Sequence, residues 1–321
     1  MTPGLRIDSL SLSIRGEDGL TPILDRVSLQ VGRGEVQGLA GESGSGKTIT
    51  GLTVIGLEPP RAEVTGRIWL DGEDLMAITG RSLNAIRGRR VGMVFQDPTT
   101  SLHPQLTVGA QLTDHVRYHL GVSRAEALER AQTALDRVGV AGGRETLRRY
   151  PHEFSGGQRQ RIAIAIALAC EPAVLIADEP TTALDVTVQA GVLALIRSLV
   201  DSLGLAVLFI THDLGVMSAV ADRVAIMRRG RIVENGERAQ VFTAPAHPYT
   251  RELLASLPGA TGGLRSRADL AGIDPFGSGD PTGDPTGDRP ADAALVRDRP
   301  ADDDLAGRES TGDGREEAAD A

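Results

Sequence analysis

The chain is almost without lysine. Of its 34 basic side chains, 33 are arginine, and Lys47 is the only lysine. It has one cysteine, Cys170, which excludes an intramolecular disulfide and any cysteine-rich metal cluster and fits a reducing compartment. Aromatic residues make up 3% of the sequence, and none precedes Trp69, the only tryptophan, which is expected in the core. No run reaches 18 consecutive apolar residues, so no membrane span is expected and the chain should be soluble by itself. No apolar stretch follows the first charges, so no signal peptide is expected. A basic balance is also missing. The net charge is −9, and residues 259–321, with 15 acidic residues against 7 arginines, carry nearly all of it. The rest is near neutral, which argues against a broad basic surface, so no nucleic-acid partner is expected.

What is present starts with the lone lysine. It sits near the end of the stretch Gly41-Glu42-Ser43-Gly44-Ser45-Gly46-Lys47-Thr48, which satisfies every fixed position of G-x-x-x-x-G-K-[ST]. Such a loop wraps phosphates in backbone N–H groups, and its cation must reach between the β- and γ-phosphates. A lysine is a compact charge on a flexible stem, whereas a guanidinium is a wide planar fork. The apolar stretch Val36–Ala40 enters the loop as a strand. Thr48 to Ile55 leaves it as a helix, whose N-terminus favours an anion.

Upstream, Leu5 to Ile14 and Leu24 to Val31 alternate as strands, with a bulge expected near Asp8-Ser9. Downstream, Val91–Phe95, Val174–Asp178 and Ala206–Ile210 read as buried strands separated by helices. That pattern indicates a parallel sheet covered on both faces. Between them lies a mostly helical insertion with Val108, Leu112, Val116 and Leu120 at helical spacing. A capping box is expected at Ser123–Glu126. Ser155-Gly156-Gly157-Gln158 then opens a helix expected to be deeply buried. It is a second anion-binding turn, 108 residues past Lys47. One nucleotide cannot easily reach both turns in one chain, so a dimer is expected in which each Ser155 turn closes over the partner's nucleotide. From residue 259 the sequence is rich in Gly, Pro and Asp, with repeated Gly-Asp-Pro-Thr, and disorder is expected over 259–321.

The candidate catalytic residues all fall at the carboxyl ends of strands, the edge where open α/β sheets bind ligands. Gln96, Asp178-Glu179 and His212 each end one. Adjacent residues on a strand face opposite ways, so Asp178 and Glu179 cannot share a task. Asp178 with the Thr48 hydroxyl suits a Mg²⁺ shell, and Glu179, turned by Pro180, suits a base that activates water against the γ-phosphorus.

In this order the motifs resemble those of the ATP-binding subunits of ABC transporters, over roughly residues 5–258. Gly41–Thr48 resembles the Walker A loop and Val174–Asp178 the Walker B strand, with Glu179 as catalytic glutamate. Gln96 resembles the Q-loop glutamine, Phe154-Ser155-Gly156-Gly157-Gln158 the family signature, Ala183-Leu184-Asp185 the D-loop, and His212 the switch histidine. The resemblance implies an α/β P-loop NTPase (RecA-like) core with a mostly parallel sheet, an antiparallel β edge and an inserted helical subdomain, about 97–160. It implies ATP and Mg²⁺ as cofactors. The nucleotide would meet Gly41 through Thr48 and Ile49 on one side, and Ser155, Gly156, Gly157, Gln158 and Asp185 on the other. Thr48, Gln96 and Asp178 would serve the metal, and Glu179, His212 and Gln96 catalysis. The implied partners are a second ATPase subunit, integral-membrane permeases and, indirectly, a solute-binding protein, at the cytoplasmic face of the cell membrane. Gln96-Asp97-Pro98 with Ser101-Leu102 and Pro104, and His247-Pro248-Tyr249 in a short extension at about 236–258, are similar to the oligopeptide/dipeptide/nickel importer branch. His103 stands where that branch often has Asn. Ile14 stands where the family usually stacks adenine on an aromatic ring. With Cys170 alone, the Fe–S cluster of some relatives cannot form. A DNA- or ribosome-acting ABC ATPase fits less well, because the insertion is short and each motif occurs once. An exporter would not account for the His-Pro-Tyr segment.

Overall fold

Alternating apolar residues build two long antiparallel strands in the computed structural model of the chain, β1 (Leu5–Gly16) and β2 (Gly19–Val31). The structure describes residues 4–17, 19–78, 80–97, 101–182, 184–256, 270 and 273–275. The expected bulge is present: pairing slips between Ile7 and Leu10, and Ser9 takes a φ of 47°. The slip lets Ile7 and Leu10, three residues apart, face the same core.

β3 (Val36–Gly41) runs into the phosphate loop and α1 (Lys47–Val54). β4 (Ala62–Leu70) and β5 (Glu73–Asp74) return to the first sheet, ordered β2-β1-β4-β5. After α2 (Arg81–Asn84), β6 (Val91–Val94) enters a second sheet. The insertion follows as α3 (Val108–Leu120), α4 (Arg124–Arg137), α5 (Gly143–Thr146) and α6 (Gly156–Leu168). The chain continues as β7 (Val174–Asp178), α7 (Val186–Leu203), β8 (Ala206–Thr211), α8 (Leu214–Val220), β9 (Arg223–Arg228) and β10 (Arg231–Glu237). It then forms α9 (Arg238–Thr243) and α10 (Pro248–Ala255). The second sheet is ordered β10-β9-β3-β8-β7-β6, parallel except for β10 at one edge. β6 and β7 are parallel neighbours, so the helical insertion is their crossover.

Side-chain alternation divides the core in two. Leu39, Ile176, Leu208 and Ile210 face β1, β2 and α1, while Ala40, Leu175, Ala177, Val207 and Phe209 face the helices of the insertion and α7. Each large side chain fully buried here contributes about 2–3 kcal/mol of hydrophobic stabilisation. This explains why the strands read as continuous apolar runs: both faces are covered. Arg197 on α7 pairs with Asp201 and lies 2.8 Å from Asp222, whose carboxylate also accepts the Val36 N–H at 2.9 Å. That network ties α7 to the base of β3. By length and composition α7 could span a bilayer, but half of it is buried inside this fold.

Helix starts follow their caps. Thr107 and Ser123 accept from the N–H groups of Ala110 and Glu126. The Glu126 carboxylate pairs with Arg130, one turn on, so the expected box at Ser123 is seen on one side.

Trp69 departs from expectation. Ile68 and Leu70 take the inward positions of β4, which leaves Trp69 on the outer face. There it is half-buried between the guanidiniums of Arg6 and Arg67, with Nε1 donating to Asp8 Oδ2 at 2.9 Å. In a strand with one buried face, position outranks hydrophobicity. Leu270 is 4% exposed and packs, with Ile273, on the core that faces the insertion and α7. Apart from residues 270 and 273–275, the stretch 259–321 lies outside the described residues, as do residues 98–100 and 183. The described residues all belong to one compact unit.

Candidate functional site

The phosphate loop is held open by glycine. Gly46 takes a φ of 106°, where a Cβ would stand 2.7 Å from Leu24 Cδ2; at Gly41 it would stand 2.1 Å from the Met227 carbonyl oxygen. Gly46 is the N-cap of α1 and makes no side-chain cap bond, so no side chain of its own blocks that anion-binding end. Lys47 folds back over the loop. Its Nζ donates to the Gly41 carbonyl at 2.9 Å and the Glu42 carbonyl at 2.8 Å. Burial lowers its pKa, against the pull of Glu179, Asp178 and Glu42.

The loop lines a cavity of about 630 Å³ together with Thr48, Ile49, Gln96, Glu179 and His212. A larger groove of about 720 Å³, bordered by Asp8, Arg33 and Arg223, holds none of these residues. Ser45 is buried beneath the loop, and its carbonyl accepts the Gly230 N–H at 2.8 Å, which ties the loop to the β9–β10 turn.

At the ends of β6, β7 and β8 three expected residues meet on one carboxylate. Gln96 Nε2 donates to Glu179 Oε2 at 3.0 Å, and His212 Nδ1 lies 2.8 Å from Glu179 Oε1. Thr182 Oγ1 also donates to Oε2 at 2.9 Å, a contact that no sequence motif announces. Glu179 takes a φ of 46°, held by its N–H donating to the Ile210 carbonyl at 2.8 Å. This left-handed turn swings it off the line of Asp178. Asp178 is 3% exposed and accepts from Thr48 Oγ1 at 3.2 Å. Burial pushes its pKa up to about 6; the Thr48 bond and Lys47 oppose this, and Glu179 adds to it. A buried carboxylate beside a hydroxyl, carrying a costly charge, fits a cation site. Gln96, expected at the metal with Thr48 and Asp178, turns its amide to Glu179.

The second group of expected residues does not line this cavity. Ser155 caps α6: its Oγ accepts from the Gln158 N–H at 3.3 Å, and Gln158 Oε1 accepts from the Ser155 N–H at 3.0 Å. The S-x-x-Q spacing is thus a reciprocal capping box as well as the expected anion-type turn. Gly156 is exposed beside it. Gly157 packs so closely that a Cβ would stand 2.4 Å from Val188 Cγ1. Asp185 caps α7, accepting from the Val188 N–H at 2.9 Å. Two lining residues were not foreseen: Ile23 of β2 and Leu253 of α10. Neither belongs to a local motif.

Residues 24–182 match the ABC transporter family, and residues 233–285 match the oligopeptide/dipeptide transporter C-terminal region. The probable peptide ABC transporter ATP-binding protein y4tR of Sinorhizobium fredii is 47% identical over 274 residues, 84% of this chain and 82% of that one. The dipeptide transport ATP-binding protein DppD of Bacillus subtilis is 44% identical over 272 residues, covering 84% and 79%. An ATP-binding cassette solved as a dimer in a post-hydrolysis state, bound to ADP and Pi, superimposes with a TM-score of 0.65 at 26% identity. It covers 73% of this chain and 98% of that one. Identity at the level of the two transport proteins, over most of both sequences, leaves one conclusion: the chain belongs to the ABC transporter family, among its ATP-binding subunits.

Proposed function

We propose that this chain is the ATP-hydrolysing subunit of an importer for oligopeptides, dipeptides or a related small solute. It works at the cytoplasmic face of the cell membrane, beneath integral-membrane permease subunits fed by a solute-binding protein. Two ATPase subunits close head to tail, each offering its Ser155–Gln158 turn and Asp185 to the partner's nucleotide. The observation that carries the reading is the Glu179 carboxylate, gathered by Gln96 and His212 at the mouth of the phosphate-loop cavity.

The geometry suggests a sequence of tasks. When ATP enters, Lys47 exchanges the Gly41 and Glu42 carbonyls for β- and γ-phosphate oxygens, and the loop N–H groups wrap the chain of phosphates. Thr48 and Asp178 would hold Mg²⁺, which neutralises charge on the β- and γ-oxygens when bound. Glu179 orients a water and takes its proton as the water oxygen attacks the γ-phosphorus and the bond to the bridging oxygen breaks. Gln96 and His212, already on that carboxylate, report whether the γ-phosphate is present. The match to the oligopeptide/dipeptide C-terminal region supports an importer over an exporter or a nucleic-acid-acting ATPase.

The test is reconstitution with a cognate permease. Peptide-stimulated ATP hydrolysis is expected, and Glu179→Gln should abolish hydrolysis while retaining ATP binding. Normal turnover in that variant would overturn the assignment of the base.

A further inference from the structure

The phosphate-loop cavity has an apolar side that no phosphate needs. Beyond the loop and α1, its apolar lining comes from Ile23 and Leu253. Ile14 does not line it. A nucleobase needs an apolar contact, and these two side chains are the ones placed to give it.

Leu253 is held there by a built anchor. Glu234 of β10 accepts the N–H groups of Ala246 at 2.8 Å and His247 at 3.0 Å, and His247 Nδ1 accepts from the Tyr249 N–H at 3.1 Å. These bonds set the start of α10. Tyr249 is 3% exposed, with the Arg228 guanidinium 4.4 Å from its ring centroid. Burial raises the pKa of its hydroxyl, with Glu42 of the phosphate loop a smaller influence. Glu42 is the loop residue whose carbonyl takes the Lys47 ammonium. Tyr249 and Leu253 are one turn apart and share a helix face.

We propose that α10 is a wall of the nucleotide site: Leu253 packs with Ile23 on the base, and the buried Tyr249, one turn before it, anchors the helix that carries it. Leu253 is thus a base contact and Tyr249 a positioning residue. The inference rests on the cavity being an ATP site.

The experiment compares ATP with inorganic tripolyphosphate, which has the phosphates and no base, by titration calorimetry on the full chain. Leu253→Ala should weaken ATP about fivefold and leave tripolyphosphate unchanged. Leu253→Phe should restore or tighten ATP binding by stacking. Tyr249→Ala should likewise weaken ATP and leave tripolyphosphate unchanged, since it acts through Leu253. Leu253→Gln, at a half-buried position, serves as the second variant if the alanine form is unstable. Equal weakening of both ligands by the Leu253 variants, or unchanged ATP affinity, would overturn the proposal. Wild-type protein that fails to bind ATP would instead overturn the reading on which it rests.

Discussion

Asp178 should make the nucleotide-free protein less stable as pH rises. Its carboxyl is buried, and its pKa moves from the ordinary 3.8 to about 6, mainly because burial penalises the charge. Between those values the folded state holds a proton that the unfolded state has released, so stability falls with rising pH. The penalty is absent below pH 3.8 and complete above about 6, and it amounts to about 3 kcal/mol. Asparagine copies the protonated form in size. Asp178→Asn should therefore match wild type near pH 4 and exceed it by about 3 kcal/mol at pH 7.5. Urea unfolding with a chelator, repeated across pH, measures the difference. A difference independent of pH, or a wild type more stable than the variant at pH 7.5, would refute the reasoning. The same variant should lose Mg²⁺-dependent hydrolysis, since the unfavourable charge is what a cation would stabilise.

Burial, with the His119 charge adding to it, lowers the His115 pKa to about 4, so its contribution is present above pH 6.5 and lost as pH falls toward 4. His115→Gln should flatten that part of the Tm–pH profile, and an unchanged profile would contradict this. Lys47→Arg should abolish hydrolysis despite keeping the charge. As the only lysine, Lys47 should also be the one side chain modified by an amine reagent, with ATP protecting it in a mass-spectrometric assay; labelling indifferent to ATP would count against its placement. Ser155→Ala removes a helix cap worth about 1 kcal/mol and should impair ATP-driven dimerisation more than ATP binding by the monomer, as ultracentrifugation and calorimetry can separate.

Sequence alone determined what is local. The phosphate loop is contiguous, and its glycines, lysine and following helix are dictated by backbone geometry within a few residues. The buried strands were legible because both their faces are apolar, and the β1 bulge because its alternation breaks once. Contacts between distant segments needed the tertiary structure. Gln96, Glu179 and His212 meet because β6, β7 and β8 are neighbours, an order no local pattern encodes. Trp69 lies outside because Ile68 and Leu70 claimed the inward face of β4. Leu253 reaches a loop at the other end of the folded sequence because Glu234 anchors the start of α10 beside it. A motif states which chemistry is possible; packing over long sequence separations decides which side chains surround it.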